Sequence, residues 1–314
     1  MNITLLSLHF IHFISKSPSF SAPLYQLHST FNFQNCKFKY SLTNAYFSNS
    51  KIFLNVSKTN FHFFLETPIK IEGTYVTNAH VKFNRVAIYD TSFICKDSTF
   101  SDCQSMFGQG GAISSLSSTI LNNCYFIRCE SEVGGAIFSG SDIDYFSTTF
   151  LSCIGIRRGG CVCADHPEKI IISYCTFSRS ISATGGALSA SSYGQSTFRY
   201  NNMSSCGSFL SNGAFDLAFL STELFFLIFD QCFASKSTSG IRFSMNKGIS
   251  ITSALFVYMT SSETQKNEGS IITILDPLET CTISHCGFSK TQKISGYSIY
   301  AEFSENYKKF QNCY

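Results

Sequence analysis

Asp142 and Asp144 form a D-x-D pair, and Arg157, Arg158, Asp165 and His166 follow in the next stretch. Carboxylates gathered with Arg, Lys or His on one face can serve as general acid and base at a glycosidic bond. That chemistry depends on elements that carry 142–144 and 157–166 to one corner of the molecule. A D-x-D pair can also ligate Ca²⁺, but the Gly and Glu of a calcium loop are missing here. Cys161-Val162-Cys163 follows Arg157-Arg158, and a thiol beside two guanidinium groups is acidified if the four side chains meet. All of these residues lie just outside short apolar runs. They therefore read first as solvated turn residues, with Asp142, Asp144, Arg157, Asp165 and His166 the group a polysaccharide-acting site would draw on. Cys161 reads as a strand residue in the place of an Ala.

Other chemistry is thinly represented. The seven His residues are scattered, and no H-E-x-x-H, G-x-S-x-G, phosphate-loop or dinucleotide fingerprint occurs. The fourteen Cys include a C-x-C but no C-x-x-C, which is not the spacing of a zinc site. No metal and no cofactor is expected.

The elements that must position any site come from a repeat. Gly110-Gly111-Ala112-Ile113, Gly134-Gly135-Ala136-Ile137, Gly159-Gly160-Cys161-Val162 and Gly185-Gly186-Ala187-Leu188 are its clear copies. Single-Gly copies follow at Gly213, Gly240, Gly269 and Gly296; from Gly111 the steps are 24, 25, 26, 27, 27, 29 and 27 residues. A second mark, F-x-x-C, keeps phase with the first. It joins Phe100 to Cys103, Phe126 to Cys129, Phe150 to Cys153 and Phe229 to Cys232, with degenerate copies at Phe177 and at Met203–Cys206. Phe33-Gln34-Asn35-Cys36 and Phe310-Gln311-Asn312-Cys313 are read as members of the same series.

A period in this range marks a stacked repeat. The apolar runs are too short for helices and are rich in β-branched and aromatic residues between Ser, Asn, Gly and Asp, so they read as strands and turns. The fold class is thus all-β, a parallel β-helix with coils of about 24–29 residues, each strand pairing with its copies above and below. The Gly pairs mark a corner that needs φ > 0 or close approach of the next coil. The Phe of F-x-x-C points inward and stacks along the axis. Residues 1–23 are an apolar N-terminal segment, either a weak signal or a first strand or cap; 24–92 hold divergent coils, with a Gly corner at Gly73; 93–314 are the regular coils, ending partway through one.

Charged residues are 14% of the chain, below the ~25% usual in soluble domains, and the formal net charge is +3 with no basic stripe. Nucleic acid is not an expected partner. Cys103, Cys129, Cys153, Cys206 and Cys232 share one repeat position and admit two readings: a ladder of buried thiols, or coil-to-coil bridges such as Cys103–Cys129 or Cys129–Cys153 in an oxidising compartment. Three N-x-S/T sequons (Asn2, Asn55, Asn202) carry little weight in so Ser- and Asn-rich a chain. No run of ~20 apolar residues is present, so membrane attachment is not encoded in these residues.

The alternation of G-G-A-[ILV] with F-x-x-[CN] over 93–314 resembles the polymorphic outer-membrane proteins of Chlamydia and similar surface proteins of trichomonad protists. Here F-x-x-C mostly stands where that family has F-x-x-N; Phe198–Asn201 and Phe303–Asn306 are true F-x-x-N copies, out of phase with the main series. The resemblance implies a right-handed β-helix at a cell surface or secreted, with adhesion as its role and host-cell or extracellular surface molecules as partners. Two alternatives stand beside this expectation of a non-enzymatic interaction protein: a carbohydrate-active enzyme on the same scaffold, or a truncated copy without function.

Overall fold

The structure, a computed structural model, describes residues 2–6, 9–11, 20–21, 30–41, 46–48, 53–64, 68–71, 92–218, 221–262, 269–289, 297–301 and 308–314. Gly73, Gly296 and the Phe303–Asn306 motif lie outside the described residues. Every strand pairing among them is parallel, and the architecture is a parallel β-helix of the right-handed type.

One coil illustrates how sequence becomes geometry. Ser118–Asn122 belongs to sheet 1, Tyr125–Ile127 to sheet 2, Glu130–Val133 to sheet 3 and, after Gly134-Gly135, Ile137–Ser139 to sheet 4. The next coil starts at Ile143–Phe146, back in sheet 1. Among the described residues, sheet 1 collects twelve strands from Asn2–Leu6 to Lys308–Gln311, and sheet 4 collects eleven. Thr99–Gln109 runs through a corner, pairing first with Tyr125–Ile127 in sheet 2 and then with Glu130–Val133 in sheet 3. Alternation sets what faces the axis. In Ile143–Phe146, Ile143 and Tyr145 are buried and Asp144 and Phe146 exposed.

The sheet 2 Phe residues are in register from coil to coil. Phe38, Phe61, Phe100, Phe126, Phe150 and Phe177 stack with centroid separations of 5.1, 4.7, 4.8, 5.0 and 4.9 Å and near-parallel planes. Met203 takes the next place, and Phe229, Phe256 and Phe288 resume the stack. The spacing is that of the strands themselves, so each ring sits on the ring one coil away. Truncating Phe150 to Ala removes a fully buried ring with neighbours on both sides. We expect a loss of about 3–5 kcal/mol in equilibrium urea unfolding, and a Phe126→Ala/Phe150→Ala pair that is measurably non-additive because the two rings touch.

The tetrapeptide itself is a corner. Phe126 points inward, Ile127 outward, Arg128 takes φ 50°, and Cys129 returns to the core. Asp102, Ser152, Arg179, Ser205, Gln231 and Tyr258 hold the same left-handed place in other coils. The buried fourth residue donates to the carbonyl two residues back: Cys103 to Ser101 at 3.5 Å, Cys153 to Leu151 at 3.7 Å, Ser180 to Ser178 at 3.2 Å. A small side chain with a donor is what the position requires, and Cys and Ser both satisfy it. All fourteen Cys are free thiols, and all but Cys313 are buried.

An equivalent corner joins sheets 1 and 2, and here one expectation needs correcting. Phe33–Cys36 and Phe310–Cys313 do not belong to the Phe100 series. Phe33 and Phe310 lie in sheet 1, Asn35 and Asn312 take the left-handed place, and Cys36 and Cys313 follow. Phe198–Asn201 is of this second series too. Its Asn201 side chain accepts from Cys175 N and donates to Ile172 O, both at 2.8 Å. Two corners per coil, built by the same rule, account for Phe33–Cys36, Phe198–Asn201 and Phe310–Cys313.

Candidate functional site

The Gly-Gly corner decides where a site can form. The first Gly of each clear pair has φ between 63° and 67°. The second is pressed against the next coil: a Cβ on Gly135 would overlap Gly160 O and stand 2.6 Å from Ile154 O. Gly111 N donates to Gly135 O and Gly135 N to Gly159 O. With no side chains in the way, sheet 3 folds back against the outer side of sheet 4. The ends of the sheet 3 strands, Val133, Arg158 and Thr184 in register, then face the outward row Phe138, Cys163, Ser189, Asp216 and Arg242 of sheet 4.

This re-entrant corner changes character along the axis. Early coils close it with a small apolar cluster of Val133, Phe138, Cys163 and Leu116. Later coils make it polar. Arg158 Nη2 donates to Asp165 Oδ2 at 2.9 Å, and the same guanidinium acts electrostatically on Cys163 and Asp216. Burial pushes the Asp216 carboxyl up, while Arg242 beside it, a hydrogen bond from Asn212 and Arg158 pull it back. Burial also pushes the Cys163 thiol up to about 12, with Asp165 adding to the rise. Arg158 pulls the thiol down, but burial and Asp165 outweigh it, so adjacency to an arginine does not leave an acidic thiol.

Each residue that a polysaccharide-acting site would draw on has its own place in the turns and on the surface. Asp142 Oδ1 accepts from Glu168 N and Lys169 N, both at 2.8 Å, and so closes the turn of the next coil. Asp144 stands exposed on the outer side of sheet 1. Arg157 pairs with Glu132 at 3.1 Å on the surface. Asp165 is brought to Arg158, and His166 holds an exposed corner at φ 61°. Among the described residues, no group of three or more His, Cys, Asp and Glu could hold a metal ion. Asp216, Arg242 and Asn212 escaped the sequence reading. The usable signal was Asn212 itself, which stands where the clear copies have their first Gly and takes φ 62°.

The opposite side carries a second feature. Phe146, Tyr174, Tyr200 and Phe226 form an outer aromatic row at the corner between sheets 1 and 2, with side chains 46, 54, 44 and 45% exposed. Centroids lie 5.4, 4.9 and 5.2 Å apart, and the last two contacts are stacked. Tyr174, Tyr200 and Phe226 occupy the left-handed corner position at φ 56°, 55° and 52°, a place other coils give to Asn35, Lys58, Asp97, Asn123, Ser147, Ser253, His285 and Asn312.

The class that the fold defines is a parallel β-helix repeat protein. No family model and no curated protein matches the chain. No helix among the described residues is long and apolar enough to cross a membrane.

Proposed function

We propose that the protein is a non-enzymatic, cell-surface or secreted β-helix that presents a repeated face for adhesion or another macromolecular interaction. The outer aromatic row carries this reading. A bulky side chain at φ > 0 is unfavourable by roughly 1–2 kcal/mol, where Asn or Ser is tolerated. Three successive coils accept that strain and leave the rings in water. Local strain of this kind concentrates where function demands it. Stacked rings present their edges rather than their faces, which suits an apolar protein contact better than a sugar laid flat on a ring. The resemblance to chlamydial and trichomonad surface proteins supports the same role.

The test is a Tyr174→Asn/Tyr200→Asn/Phe226→Asn variant, compared with wild type for binding, as labelled protein, to mammalian cell monolayers and to extracellular matrix. Relief of strain offsets the lost stacking, so stability should stay within about 1 kcal/mol of wild type. Binding should fall at least tenfold. Equal binding by both proteins, or binding by neither, removes the reading.

A further inference from the structure

Most of the thiols follow the corner rule, but Cys95 does not. It points inward from Ser92–Lys96 in sheet 1, in register with Val56 and Leu121. Phe33, Tyr145, Ile172 and Phe198 hold the same place in other coils. Large apolar residues fill this place elsewhere, so packing alone does not call for a thiol. The next coil supplies a partner. Cys124 follows the left-handed Asn123, and its Sγ is aimed at the coil before, 3.4 Å from Cys95 O and 3.6 Å from Cys95 Sγ. Cys175 donates to Tyr145 O at 3.6 Å and Cys313 to Ile283 O at 3.7 Å in the same way. The corner thus sends its fourth side chain onto the inward residue of the preceding coil. Among the described residues, only Cys95 places a second sulfur there.

We propose that Cys95 and Cys124 form a disulfide that staples Ser92–Lys96 to the coil that follows it. A bond of about 2.05 Å requires the two sulfurs to close by about 1.6 Å. Neighbouring coils stand ~4.8 Å apart, a step that disulfides span. The hydrogen bond it shares with Cys95 holds the Cys124 thiol below its usual range against the effect of burial, which makes Cys124 the attacking sulfur. The oxidant is a small-molecule or protein disulfide, met while the coils are still open. Cys124, as thiolate, attacks one sulfur of that disulfide and expels a thiolate. Cys95, as thiolate, then attacks Cys124 Sγ in the mixed disulfide and expels the other half. One disulfide forms, the oxidant is reduced to two thiols, and the protons of Cys95 and Cys124 pass to them. The supply of such an oxidant rests on the cell-surface or secreted location; the pairing of the two sulfurs does not.

The experiment equilibrates the reduced full chain with glutathione buffers from fully reduced to mostly oxidised, in urea just below the unfolding midpoint. Remaining thiols are trapped with N-ethylmaleimide and a non-reduced digest is mapped by fragmentation mass spectrometry. Variants are Cys95→Val and Cys124→Ser, because the preceding coil carries Val56 and Ser98 at those places. The expected result is a Cys95–Cys124 link that forms in a more reducing buffer than any other pair. It should raise the urea midpoint by about 0.5 M over the reduced chain. Link and rise should both vanish in each variant. Cys95 and Cys124 that still carry N-ethylmaleimide or glutathione in the most oxidised buffer overturn the proposal. So does first linkage among Cys103, Cys129 and Cys153, or a link that leaves the midpoint unmoved. Cys95 and Cys124 lie in the core and the aromatic row on the surface, so loss of cell binding leaves this result unchanged and the two readings fail separately.

Discussion

Gly135→Ala should cost about 4 kcal/mol or more, enough to leave much of the protein unfolded. The added methyl meets Gly160 O and Ile154 O, backbone atoms of the next coil that cannot rotate away. Relieving the overlap means parting two coils and weakening the hydrogen bonds from Gly111 N to Gly135 O and from Gly135 N to Gly159 O. Overpacking of a core costs about 1–3 kcal/mol, and each lost hydrogen bond about 1 more. Gly248→Ala is the informative contrast. A Cβ there finds its nearest neighbours at 3.7 Å, an ordinary contact, and the backbone is not in the left-handed region. We expect Gly248→Ala to leave stability within about 1 kcal/mol of wild type. Urea unfolding of both variants checks the pair; a Gly135→Ala midpoint equal to that of Gly248→Ala would contradict this packing.

The second large effect is alkaline. Burial pushes the thiols of Cys163, Cys175, Cys206 and Cys281 up to about 12, whereas an unfolded Cys titrates near ~8.5. The folded values are raised. Their contribution to stability is thus fully present below about pH 8.5 and is lost as pH rises from there toward 12. By pH 10 each thiol has given up about 2 kcal/mol, because the unfolded chain ionises and the folded one does not. Four such thiols approach the whole stability of an ordinary domain. Tyr145, whose hydroxyl burial pushes further up, adds to the loss above pH 10. The urea midpoint under reducing conditions should fall steeply between pH 8.5 and 10, and less steeply after Cys163→Ala and Cys206→Ala. A flat profile would mean that these thiols are not buried.

Much of this fold was legible because it is periodic. The Gly pairs and the Phe marks recur at fixed steps, and stacking converts equal steps into contact. What the sequence hid was the corner rule. Phe33–Cys36 and Phe100–Cys103 look alike because both pass through a left-handed third residue, yet they turn different corners. Motif identity cannot tell the corners apart; only the strand register can. The outer row was hidden for a related reason. Tyr174, Tyr200 and Phe226 sit where turn formers belong, so they read as stray aromatics between strands. Asp216 and Arg242 were hidden because each is a single outward residue on a divergent coil. Their meeting follows from the register of sheet 4, in which they are partners on adjacent strands, rather than from the charges. Asp142 and Asp144 attracted a catalytic reading by composition alone. The structure gives Asp142 a turn to close and leaves Asp144 in water.

Each repeat advances the chain by one coil, and double electron–electron resonance between two spin labels measures that advance directly. Tyr125 and Leu255 are exposed, equivalent positions in sheet 2, linked in register through Thr149, Thr176, Asn202 and Ile228. With Cys313 changed to Ser, the remaining native thiols are buried, so Tyr125→Cys and Leu255→Cys take the labels. Five parallel steps predict a separation centred near 24 Å, broadened by the label arms. Stacked helical repeats would advance about 10 Å each and give about 50 Å; a distribution centred there would contradict the β-helix and everything built on it.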